Sequence, residues 1–175
     1  MENQNCQQSQ GELLQHLGNL RKMMVHNHEL ENLSEFVLHD LCNGPCFHIN
    51  KAAYFINNPD FNMLRGITGY DKKEAMLHDT WNNQKEFIAS MQNSRFNQKV
   101  RNKLEKSFEQ GQISQEYMIR KLADYLEMDK PAYHVWNAKH ANHGLLLYEQ
   151  SSHAQGYHQD YVRDSLYYLS FCPVF

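Results

Sequence analysis

The densest run of chemically competent side chains is His39-Asp40-Leu41-Cys42-Asn43-Gly44-Pro45-Cys46-Phe47-His48. Imidazole and thiolate are the usual ligands of zinc, and His39, Cys42, Cys46 and His48 together supply the four donors of a closed tetrahedral site. His39 and Cys42 are three residues apart, which puts them on one face of a helix. The Asn-Gly-Pro turn that follows can bring Cys46 back toward them. The spacing fits no familiar zinc pattern. The plainer reading makes both cysteines small buried residues flanking a turn. A zinc-type site on these four residues is therefore one expectation and simple packing is the other.

Two further groups invite the same comparison. His134, His140 and His143 are enough ligands for a catalytic metal with an open position, but nothing in their spacing makes them converge. Arg95, Lys99, Lys103 and Lys106 recur at steps of four, four and three, with Arg101 nearby, which aligns them on one helix face able to meet phosphates. Glu105 and Glu109 dilute that face, and a solvated helix surface explains it equally well. Asp40, Asp60, Asp71, Glu74, Asp160 and Asp164 sit at caps or on helices, where carboxylates have structural reasons to be. A glycine-rich phosphate loop, a dinucleotide fingerprint, HExxH and a nucleophile elbow do not occur. The sequence thus names no reaction and leaves open whether the chain is an enzyme.

The elements that position these residues follow from apolar periodicity. Leu13, Leu17, Leu20 and Met24 mark a helix over about 12–25. Leu30, Leu33, Val37 and Leu41 mark a second, with Asn32 and Glu35 as a capping pair and Asn43-Gly44-Pro45 as its stop. Aromatic and branched residues predict a strand over 52–56, ended by Asn57-Asn58-Pro59-Asp60, with Pro59 opening a short helix. Gly66 and Gly69 are read as bracketing a turn, and Asp71 with Glu74 as capping another short helix. Phe87, Met91, Phe96, Val100, Leu104 and Phe108 predict one long helix over 83–110, with Leu104 inward. Ser114 caps a helix carrying Met118, Leu122, Tyr125 and Leu126. Residues 133–138 and 145–148 form a hairpin around His140 and His143, and a last helix covers 159–169.

Helices, a strand, helices, a hairpin and a helix do not alternate as βαβ units. The expected class is α+β, with several helices packed on a small antiparallel sheet; an all-α bundle is the alternative. The expected organisation is a disordered tail over 1–11 and one globular domain over 12–175.

Composition bounds the rest. Hydrophobic residues make up 41% of the 175, enough for a core, while the mean hydropathy of −0.74 keeps much of the chain in water. No run approaches the ~18 apolar residues of a spanning helix, which argues against a membrane protein, and no membrane is expected among the partners. The net charge of −3 gives no general pull toward nucleic acid. The 11 histidines make that charge rise below about pH 6.5. The polar opening MENQNCQQSQG lacks the features of a secretory signal, so the cytoplasm is the expected location and the four cysteines are expected as thiols. The function these features favour is a soluble accessory or interaction protein that binds another protein or itself. The apolar tail Tyr167, Tyr168, Phe171, Val174 and Phe175 is the expected homodimer surface. A zinc protein and a nucleic-acid-binding regulator are the alternatives.

Overall fold

A computed structural model describes residues 2–43, 47, 49–75, 79–109, 113–129, 131–150 and 159–173, with side chains described from Gln10 to Gln150 and from Arg163 to Pro173 within those ranges. The fold is α+β. The described elements, in chain order, are α1 (Glu2–His26), α2 (Leu33–Asn43), β1 (Ile49–Asn58), β2 (Met63–Asp71), α3 (Gln84–Asn93), α4 (Arg95–Arg101), β3 (Leu104–Glu105), α5 (Ile113–Leu126), β4 (Ala132–Asn137), β5 (His143–Gln150), α6 (Gln159–Leu166) and a 3-10 helix (Tyr167–Phe171). The five strands form one sheet in the order β3-β2-β1-β5-β4, and every pairing is antiparallel. No described helix is long and apolar enough to cross a membrane.

β1 lies at the centre, and its sequence shows why. Ala52-Ala53-Tyr54-Phe55-Ile56 is an unbroken apolar run, the signature of a strand covered on both faces, and all five side chains are buried. Ala52, Tyr54 and Ile56 join a core with α1, α2, α3 and the 3-10 helix. Ala53 and Phe55 point the other way, into a core with α4 and α5. Helices therefore cover both faces of the sheet.

That layering explains the first correction. The stripe read as one long helix is two helices, because Phe87 and Met91 serve one core and Phe96 and Val100 serve the other. The chain must cross between layers, and it does so at Ser94, whose backbone is extended (φ −64°, ψ 118°). The Ser94 hydroxyl accepts from the Asn97 amide at 3.1 Å, capping α4, and donates to Glu74 Oε2 at 2.6 Å. The five-residue step from Met91 to Phe96 was the trace of this break. Beyond α4 the chain enters β3, and Leu104 is 62% exposed rather than inward.

β2 is the second correction. Pro59 does not open a helix. It lies in a tight hairpin turn in which Asn62 adopts φ 48° and its amide donates to the Pro59 carbonyl at 3.0 Å, a conformation that asparagine tolerates well. Gly66 and Gly69 sit inside β2, not at a turn. A side chain at Gly66 would collide with the Val100 carbonyl, and one at Gly69 would meet Val100 and Phe96. Their missing side chains let α4 lie directly on the strand. The register slips by one residue at Ile67, so Gly66 and Gly69 share a face. Asp71 and Glu74 form a turn, with the Lys73 amide on Asp71 Oδ1 at 2.9 Å.

Other expectations hold. α2 ends at Asn43, before Gly44 and Pro45. β4 and β5 form the expected hairpin, in register from Ala132↔Tyr148 to Asn137↔His143. α5 buries Met118, Leu122 and Leu126. At the amino end α1 starts at Glu2, so helical backbone runs through the stretch read as a tail.

Candidate functional site

Of the four proposed zinc ligands, Cys46 and His48 lie outside the described residues. His39 and Cys42 are both buried on α2. The His39 ring packs edge-on between Tyr70, at 5.5 Å, and Phe87, at 5.0 Å. Burial pushes the Cys42 thiol well above its ordinary range, which opposes the thiolate that a metal requires. Among the described residues no group of three or more His, Cys, Asp or Glu side chains can hold a metal ion. The two described members of the cluster sit as core residues.

The other histidines also part company. His134 Nε2 meets the Tyr148 hydroxyl at 3.2 Å, and the two rings stack at 5.7 Å. Burial, and secondarily the Arg163 charge, hold the His134 pKa below its ordinary value. His140 is exposed in the β4–β5 turn at φ 58°. The basic stripe does not exist as one helix face, since α4 ends at Arg101. Three of these residues are matched to carboxylates instead. Lys99 pairs with Glu127 and Lys103 with Glu105, each at 2.7 Å, and Arg101 pairs with Glu35 at 2.6 Å.

Glu35 belongs to a polar network that the sequence did not reveal. Its side chain is buried between the two helical layers, where a carboxylate persists only with partners. Oε1 accepts from Arg101 and from Asn97 Nδ2 at 3.1 Å, and Oε2 accepts from Asn32 Nδ2 at 3.2 Å. Asn97 Oδ1 in turn accepts from the Gly69 amide at 2.9 Å and the Thr68 hydroxyl at 3.2 Å. The asparagine thus couples α2, β2 and α4 through one amide. Pairing Asn32 with Glu35 was the only signal of it.

The surface that stands out is the outer edge of the sheet. β4 is the last strand in the sheet order, and among the described residues nothing pairs with its outer side. Its sequence, Ala-Tyr-His-Val-Trp-Asn, carries no formal charge and no proline, two of the devices that keep an edge from pairing with another chain. Tyr133 is 41% exposed and lies opposite Leu147, on the α5 side of the sheet. Tyr167 is 45% exposed on the other side, where it shares a recess with His134, Trp136 and Arg163. Trp136 Nε1 donates to Ser170 Oγ at 2.7 Å and fixes the 3-10 helix beside the edge.

The carboxyl-terminal segment accordingly divides. Leu166, Leu169 and Cys172 dock into the core, while Tyr167 and Phe171 remain outward. Val174 and Phe175 are outside the described residues. Comparisons with family models, with curated proteins and with solved structures give no match for this chain.

Proposed function

We propose that this protein is a non-catalytic interaction module that self-associates through the edge of β4, making a homodimer in which two sheets join across a two-fold axis. The observation that carries the reading is the uncharged, unprotected β4 edge flanked on both faces by exposed tyrosines. Antiparallel pairing of β4 with its copy satisfies the outward backbone groups and places no like charges opposite one another. Tyr133 and Tyr167 then supply amphipathic contact area of the kind enriched at interfaces. The buried free thiols Cys42 and Cys172 suit a reducing compartment such as the cytoplasm.

Light scattering across a wide range of protein concentration tests this. The expected mass is that of two chains, falling to one on dilution. Tyr133→Lys, at an exposed position, leaves the fold intact and shifts the equilibrium to monomer. A single-chain mass throughout removes the proposal.

A further inference from the structure

His134 is the one residue of β4 whose charge changes near neutral pH. It is half-buried and shares its face of the strand with Trp136. Three elements pack around it. From β5 the Tyr148 ring stacks on the imidazole, with its hydroxyl 3.2 Å from Nε2. From α6 comes Arg163, whose carboxylate neighbour, Asp164, is 3.8 Å away and exposed. From the 3-10 helix comes Tyr167. Among the described residues no carboxylate lines this recess. A proton added to His134 therefore meets a cation there and no anion.

The symmetry of the joined sheets sets where the second His134 falls. A two-fold axis that pairs β4 antiparallel with itself stands perpendicular to the sheet, so each face of one copy continues as the same face of the other. Side chains alternate along a strand, so the residue opposite His134 is even-numbered. Two such registers pair five of the six residues of β4, one centred on His134 and one on Val135. The first puts the two His134 side chains directly opposite, with Cβ atoms about 4.5–5.5 Å apart. The second puts them on the diagonal, about 7–8 Å apart. In either register two neutral rings are compatible, whereas two imidazoliums are like charges on one face of the seam.

We infer that self-association through β4 is switched by pH, with protonation of the two His134 side chains releasing the dimer. The inference rests on the β4 dimer proposed above. Burial and the Arg163 charge already disfavour the protonated ring in the single chain. Pairing adds further burial and a second imidazole, so the dimer binds fewer protons than two separate chains. Association is then complete above the ordinary histidine range and is lost as pH falls through the pKa of the separate chain. Both copies take up a proton on separation, which makes the dependence steep.

Sedimentation equilibrium at about pH 7.5 and about pH 5 tests the switch. A two-chain mass is expected at the higher pH, with Kd rising at least about tenfold at the lower while circular dichroism reports a folded chain. His134→Gln, which cannot take up the proton, is expected to lose most of that rise. His134→Lys carries the charge permanently and is expected to be monomeric at the higher pH, which decides the matter even if acid unfolds the protein. A one-chain mass for wild type at the higher pH removes the dimer and the switch together. A two-chain mass there, with a Kd that does not rise on acidification or rises equally in His134→Gln, overturns the switch alone. So does wild-type affinity in His134→Lys.

Discussion

Asn97 shows how much one side chain holds together. Its amide meets Glu35, the Met91 carbonyl, the Gly69 amide and the Thr68 hydroxyl. Asn97→Ala leaves several of these buried groups unsatisfied at once, and the expected loss in chemical denaturation is roughly 2–4 kcal/mol. A loss no larger than that of an exposed surface substitution would show that water replaces the amide. His134 carries a second expectation at this scale. Burial lowers its folded pKa, so the folded state favours the neutral ring that faces the Tyr148 hydroxyl. Its contribution to stability is complete above the unfolded value near 6.5 and is lost as pH falls through the folded value. Asp40, raised chiefly by burial, works in the opposite sense, so the test is a difference. Between about pH 7 and pH 5 the thermal midpoint of wild type should fall more steeply than that of His134→Gln; parallel curves would contradict the assignment. Neither residue declared its role in the sequence. Glu35 read as a cap because its near partner, Asn32, is local, whereas Asn97 and Arg101 reach it only through the tertiary fold.

Individual elements were legible where one periodicity held over their whole length. β1 reads as a buried strand, α2 ends at its Asn-Gly-Pro signal, and the β4–β5 hairpin is clear from two short apolar runs around a polar turn. The failures share one cause, a local pattern serving two layers. The stripe from Phe87 to Phe108 looked continuous because both cores draw on it, and Leu104 was swept in by spacing alone. In β2, Gly66 and Gly69 resembled turn residues because glycine's close-packing role depends on α4, which lies on the strand from elsewhere in the chain. The corrected layering makes a paired prediction. Leu104→Ala, on an exposed strand residue, should change stability by less than about 0.5 kcal/mol. Leu122→Ala, wholly buried on α5, should cost about 2–5 kcal/mol. Equal losses in urea denaturation would mean that the stripe does pack as one helix.

At the scale of the molecule, the sheet is closed on both faces by helices, and among the described residues its β4 edge is unpaired. Its other edge ends in the two-residue β3, and Glu105 there is matched to Lys103 and Lys121. β4 has six residues and no Asp, Glu, Lys or Arg of its own. The apolar tail expected to form the interface is split between docking and exposure, so the proposed surface shifts from the tail alone to the strand it flanks. Periodicity alone could not assign this edge, since strand order depends on which hairpins meet, and β1 pairing with β5 is a long-range event. Hydrogen exchange of the amides of residues 132–137, compared at protein concentrations below and above the association midpoint, is the most direct measurement of the central claim. Self-association predicts that the outward-facing amides of β4 slow at high concentration while those of β5, already paired on both sides, do not change. Exchange in β4 that is independent of concentration, or protection that appears on another surface, would contradict it.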